Sequence, residues 1–219
     1  MRNRFDQQLQ TLNHELLRMG ALIESAIQNA TTALATQDAE VARRAIAADR
    51  EVDQAERDIE ALCLKLLLHQ QPVARDLRFI SAALKMITDM ERIGDQASDI
   101  SEIVIYLSGE PCRRQLDHLP QMAENAIRMV TGALDAYVRK DLTLAQEVMA
   151  MDDDAIDELF VAVKNELIEL IRSHSEAGSQ AMDLLMTAKY YERIGDHAQN
   201  IAEWVEYALT GRHKGVFLT

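Results

Sequence analysis

Apolar residues recur along this chain at alternating steps of four and three, the period of a helix with one buried face. Phe5, Leu9, Leu12, Leu16, Met19, Ile23, Ala26, Ala30 and Ala33 hold that step and predict a first helix of roughly thirty residues. Val41, Ala45, Ala48, Val52, Ala55, Ile59, Leu62 and Leu66 predict a second, with Asp38 as its N-cap and its end near His69-Gln70-Gln71-Pro72. A third runs from Val73 to Leu107 on Met86, Met90, Ile93, Ala97, Ile100, Val104 and Leu107, and Ser108-Gly109-Glu110-Pro111 closes it. The pattern then restarts. A fourth helix is expected over Gln115–Arg139, with Met122, Ala126, Met129 and Ala133 inward. A fifth starts at Asp141 and carries Ile156, Leu159, Val163 and Leu170. After a turn at Ser173–Ser179, a sixth covers Gln180–Leu209. The tail, Gly211–Thr219, is expected to fray. The three prolines fall at turns or helix starts, and no alternation long enough for a strand interrupts the series.

The restart is a repeat. Glu91-Arg92-Ile93-Gly94-Asp95 recurs as Glu192-Arg193-Ile194-Gly195-Asp196, 101 positions later. Asp99, Ile100, Glu102 and Val104 align at the same offset with Asn200, Ile201, Glu203 and Val205. A fixed offset between matched segments marks duplicated units. The fold class is therefore all-α, a tandem repeat of two three-helix bundles with six long helices, divided into residues 1–111 and 112–219. Few breakers (8 Gly, 3 Pro) and only 5% aromatic residues support helices throughout.

The pentad is costly for a helix. Gly94 in mid-helix costs about 0.8–1.0 kcal/mol relative to Ala. Like charges four residues apart cost roughly 0.2–0.5 kcal/mol per pair. Glu91, Asp95, Asp99 and Glu102 form one narrow stripe, opposite the apolar seam of the third helix. The second helix carries Asp49, Asp53, Glu56 and Glu60 in similar array. In the second repeat the counterparts are Glu192, Asp196, Asn200 and Glu203, with Asp153 and Asp157; Phe160 and Lys164 stand in place of Glu56 and Glu60. Both stripes are expected to face water and to lack basic partners, since Arg92 and Arg193 point about 100° away. Solvated helix faces look like this too. A convergence of carboxylates from two helices, however, supplies oxygen ligands for Mg²⁺, Mn²⁺, Zn²⁺ or iron, and left empty it would have raised, coupled pKa values.

Charge narrows the partners. The net charge is −13, shared by halves holding 18 acids against 12 bases and 18 against 11. Nucleic acid and free phosphate are disfavoured; cations and basic protein surfaces are favoured. Cys63 and Cys112 lie far apart without metal-type spacing, as free thiols would in a reducing cytoplasm. No signal-like start or apolar run near 18 residues is present, so no membrane insertion is expected. A di-iron bundle requires Glu-x-x-His, and none of the six His has Glu three residues before it. No phosphate loop or nucleophile elbow occurs. His197 is a candidate extra ligand or a surface residue; His69 and His174 suit helix C-termini. Tyr190, Tyr191 and Trp204 read equally as core or interface. A carboxylate-bridged metalloenzyme and a purely structural helical oligomerisation module are the alternative functions.

Two three-helix modules, each with an acidic second helix and E-R-I-G-D on the third, resemble the PhoU family of phosphate signalling over essentially the whole chain. The resemblance implies a non-enzymatic negative regulator of the phosphate-starvation response. It implies two partners, the ATPase of the phosphate ABC transporter (PstB-type) and a sensor histidine kinase (PhoR-type). A homodimer in the cytoplasm, reaching the inner membrane through those partners, is implied as well. Metal ions are expected on Asp49, Asp53, Glu91, Asp95 and Asp99, and on Asp153, Asp157, Glu192, Asp196 and Asn200. Glu56, Glu60, Glu102 and Glu203 are expected at the docking surfaces.

Overall fold

The computed structural model describes residues 2–70, 72, 74–108, 116–151 and 156–217. Its helices are α1 (Arg2–Thr36), α2 (Ala39–Gln70), α3 (Ala74–Leu107), α4 (Leu119–Arg139), α5 (Leu142–Met151), α6 (Asp157–Ser173) and α7 (Gly178–Thr210). The helical repeat read from the sequence is present, but the expected fifth helix comes as two, α5 and α6, on either side of residues 152–155. The fourth helix starts at Leu119, later than its apolar pattern suggested, with Pro120 in its first turn.

Both repeats make their first turn in the same way. Gln37 (φ 53°) and Lys140 (φ 58°) adopt the left-handed conformation, and an aspartate follows each. Asp38 Oδ1 accepts from the amides of Glu40 (2.8 Å) and Val41 (3.2 Å), and Asp141 Oδ1 from Leu144 N (3.1 Å). Each cap satisfies helix N–H groups that have no partner within the helix, typically worth about 1 kcal/mol.

The seam residues behave as their spacing requires. Leu12, Leu16, Met19 and Ile23 of α1 are fully buried, as are Met86, Met90, Ile93 and Ile100 of α3. One large hydrophobic cluster takes in all seven helices without a break between repeats. The join runs chiefly where α3 packs on α7 and α1 on α4. Gly20 of α1 permits part of it, because the side chain of Leu134 (α4) occupies the space a Cβ would need. Two buried tyrosines stitch the same seam. Tyr137 Oη (α4) donates to the Phe79 carbonyl (α3) at 2.8 Å, and Tyr191 Oη (α7) lies 2.8 Å from Thr31 Oγ1 (α1).

Residues 211–217 of the tail are ordered, which overturns the expectation of fraying there; Leu218 and Thr219 lie outside the described residues. Gly211 caps α7 with φ 82°, and β1 (Arg212–His213) pairs antiparallel with β2 (Val216–Phe217) across Lys214-Gly215, both at positive φ. A two-residue loop of that conformation matches the twist of a hairpin. His213 stacks on Trp204 with ring centroids 3.9 Å apart, and Lys214 Nζ sits 3.2 Å from Glu203 Oε2. A strand pair too short to show alternation was invisible to periodicity.

Candidate functional site

Gly94 explains why α2 and α3 can bring their carboxylates together. A Cβ there would lie 3.0 Å from Asp49 Oδ1 and 3.1 Å from Val52 Cγ1, so its absence lets α2 settle against α3. Asp49, Asp53 and Glu56 then line one side of the contact, and Glu91, Asp95 and Asp99 the other. All six are partly buried. Burial raises the pKa of Asp49 to about 6, and the charges of Asp53, Asp95 and Asp99 push it the same way. Glu91 is also raised, by burial and then Asp95, with Glu56 and Asp53 adding to it. Glu56 is raised by burial, Glu60 and Asp53. These mutual effects identify a shared field from six carboxylates of two helices. Glu60 and Glu102 stand exposed at its edges.

Two expectations need correction. The α3 stripe does not face open water, because α1, α2 and α7 all pack on α3 and leave its carboxylates half-buried. Nor is the stripe without basic partners. Arg92 Nη1 lies 2.9 Å from Asp95 Oδ2 and its Nε 3.5 Å from Glu91 Oε2, and Arg57 Nη1 lies 4.0 Å from Asp53 Oδ2. The guanidinium of Arg92 bends back along the helix to neighbours one and three positions away, which the direction of its Cβ alone did not suggest. Arg92 is itself mostly exposed, so the site is a rim of acid screened from outside and not a neutralised core.

The second repeat builds a weaker version. Asp196 is raised by burial and then by Glu192, with Asp157 adding, while Lys189 and His197 oppose. Lys189 forms an ion pair with Glu192 and lies over the Phe160 ring at 5.6 Å. The residue that replaced an acid thus supports a cation that neutralises another. Asp153 lies outside the described residues. Glu203, expected at a docking surface, is engaged by Lys214.

Between the two clusters the structure places a bridge that the sequence reading missed. Tyr190 donates to Asp99, and the guanidinium of Arg193 also lowers that carboxyl, though burial and Glu102 still leave it raised. On the other side, Asp89 Oδ1 accepts from Asn200 Nδ2 at 3.3 Å and lies 2.9 Å from His197 Nδ1. Asp89 aligns with Tyr190, and Asp99 with Asn200, at the repeat offset. Early α3 meets late α7 and the reverse, so α3 and α7 run antiparallel and exchange equivalent contacts. Asn200 and His197 therefore reach toward α3. The alignment of Asp89 with Tyr190 was the signal available for this.

Among the described residues, no group of three or more His, Cys, Asp or Glu is arranged to hold a metal ion. The donors themselves fit a hard cation: they are all oxygen, they repel one another, and Asp49 is set into a recess that a Cβ at position 94 would fill. Cys63 is buried, with its thiol raised to about 12 by burial and then Glu60, so it stays protonated.

The PhoU domain model matches residues 16–104 and 119–205. The chain is 37% identical over 209 residues to a phosphate-specific transport system accessory protein PhoU homolog of Clostridium acetobutylicum, covering 95% of each. It is 29% identical to the Escherichia coli protein of that name, over 96% of this chain and 88% of that one. The crystal structure of PhoU from Pseudomonas aeruginosa superposes with a TM-score of 0.88 at 33% identity, covering 95% of this chain and all of that one. That of the phosphate transport system regulatory protein PhoU from Streptococcus pneumoniae gives 0.87 at 29% identity, with coverages of 95% and 98%.

Proposed function

The chain belongs to the PhoU family, and from that premise we propose that it is a non-catalytic regulator acting with a phosphate-specific transport system. Its relatives are named accessory proteins of such a system, and nearly their full length aligns. In this reading the protein connects the transporter's ATPase with a sensor histidine kinase and favours the kinase's repressing state when phosphate is ample. It works as a cytoplasmic homodimer, recruited to the inner membrane by its partners.

The observation that carries the reading is the half-buried row of carboxylates shared by α2 and α3, at Asp49, Asp53, Glu56, Glu91, Asp95 and Asp99. Charges held at raised pKa are poised to accept a compensating positive charge, whether a metal ion or a basic side chain of a partner. A net charge of −13 steers the same partners toward the surface. A metal ion there would be held by Asp49, Asp53, Glu91, Asp95 and Asp99 and would supply charge compensation; the chain's own residues hold the helices at the spacing that Gly94 permits. The weaker cluster at Asp157, Glu192 and Asp196, with Asp153 and Asn200 beside it in sequence, would serve a second contact of the same kind.

The test is complementation. A strain lacking the gene is supplied with the wild type or with Glu91→Gln/Asp95→Asn/Glu192→Gln/Asp196→Asn, and a phosphate-responsive reporter is read in high phosphate. The variant is expected to leave the reporter switched on, and in pull-downs to lose the kinase, the ATPase or both. Full repression with undiminished capture of both partners would refute the role given to the carboxylates. Repression of the reporter in the strain lacking the gene would refute the regulatory reading itself.

A further inference from the structure

One end of this acidic protein gathers several cations. There the start of α3, the end of α4 and the hairpin β1–β2 meet. Arg75 Cζ lies 5.8 Å and Lys140 Nζ 4.9 Å from the centre of the buried Phe79 ring, which Tyr137 holds at 5.5 Å. Arg78 Nε donates to the Ala208 carbonyl at 3.5 Å and passes beside Gly211, whose Cβ position is also 3.9 Å from Phe217. Arg212 Cζ in turn stacks 4.4 Å from the Phe217 ring. Arg75, Lys140 and Arg212 are exposed, and none has a carboxylate partner among the described residues. The acids nearby include Asp76, beside Arg75 in sequence, Asp135, paired with Arg139 at 2.8 Å, Asp141, spent as a cap, Glu203, paired with Lys214, and the half-buried Glu206, one turn before Thr210 on α7.

Large apolar side chains stand exposed among these cations: Leu77 (43%), Val216 (63%) and Phe217 (59%). We propose that this end is a docking face for an anionic lipid bilayer, with Arg75, Lys140 and Arg212 meeting headgroup phosphates and Val216, Phe217 and Leu77 entering the interface.

Charge selects that occupant. Packing against Phe79 and Phe217 holds the three cations in place before binding, so little side-chain freedom is lost. The hairpin folds back along α7 with Lys214-Gly215 at its turn, and its second strand leaves Val216 and Phe217 exposed beside Arg212. A partner helix would need a groove, and the cavity of about 490 Å³ in this fold, lined by Leu34, Leu107, Leu119 and Leu184, lies at the opposite end of α1, α3 and α4. The acidic row does not prevent approach. Asp95 stands about 25 Å along α3 from Arg78 at 1.5 Å per residue, beyond the ~10 Å screening length at 0.1 M salt. No helix among the described residues is long and apolar enough to cross a membrane, so contact here is peripheral. The proposal does not depend on the adaptor reading, since it is tested on purified protein without partners.

The full chain is sedimented with vesicles of phosphatidylcholine mixed with phosphatidylglycerol, and with phosphatidylcholine alone. About a hundredfold preference for the anionic vesicles is expected from three surface cations. Arg75→Gln/Lys140→Gln/Arg212→Gln should abolish the preference, while Arg44→Gln/Arg172→Gln, away from this end, should keep it. Val216→Ser/Phe217→Ser should weaken binding to both vesicles alike. Circular dichroism checks folding; should the triple variant unfold, Arg212→Gln on the hairpin surface carries the test, with about a fivefold loss expected. Equal binding to both vesicles, or a preference that survives these changes, overturns the proposal. So does charge-dependent capture by an immobilised acidic polypeptide without vesicle binding, which would make this a protein-docking face.

Discussion

Replacing Asp49 by Asn should stabilise the metal-free protein at neutral pH. The folded carboxyl has a pKa of about 6, raised first by burial and then by Asp53, Asp95 and Asp99, while an unfolded aspartate titrates near 3.9. Between those values the native state holds more protons than the unfolded one, so stability falls as pH rises through the window and the penalty is complete above the folded pKa. At face value the displacement corresponds to about 3 kcal/mol. Asp49 is only partly buried, and water screens it, so about 1 kcal/mol is the fair figure. Asparagine keeps the shape and removes the charge. Urea unfolding in chelator is then followed by helical circular dichroism from pH 4.5 to 7.5. The variant should exceed wild type by about 1 kcal/mol at pH 7.5, converge with it toward pH 4.5, and leave the m-value unchanged. Adding Mn²⁺ should reverse the order, stabilising wild type more than the variant. If Asp49→Asn is less stable at pH 7.5 without metal, the carboxylate is stabilised by its surroundings and the account of mutual repulsion fails.

Three further changes probe separate joints of the structure. Gly94→Ala gains about 1 kcal/mol of helix propensity, but its methyl meets the buried, stiff Val52 and the Asp49 carboxylate at 3.0–3.1 Å, so a net loss of about 1 kcal/mol is expected in thermal unfolding. Tyr137→Phe removes the 2.8 Å bond to the Phe79 carbonyl and should cost about 1 kcal/mol in urea, with no change in the reporter assay. Asp89→Ala and His197→Ala, combined in a double-mutant cycle at pH 6, should show a coupling of about 0.5–1.5 kcal/mol across the 2.9 Å contact; additivity would mean that the bridge between α3 and α7 contributes nothing.

The chain's periodicity was enough to set the helices, because a buried helical face must be apolar every three to four residues whatever it packs against. Leu12, Met86, Ile93 and Ile201 are buried as their spacing demanded, and Asp38 and Asp141 cap where a lone side-chain oxygen before an apolar run should. The duplicated pentad likewise located the carboxylates of α3, and a separate acidic stripe those of α2. Periodicity does not reveal which helices touch, so the antiparallel contact of α3 with α7, and the pairs Tyr190 with Asp99 and Asp89 with His197, appeared only when the two repeats were packed together. It also misjudged Arg92, whose long side chain turns along the helix to Asp95, and the tail, where stacking of His213 on Trp204 and two positive φ values order a hairpin. A sequence specifies which residues shun water and where helices end. The field felt by Asp49, however, is a sum over charges that only the folded chain sets side by side.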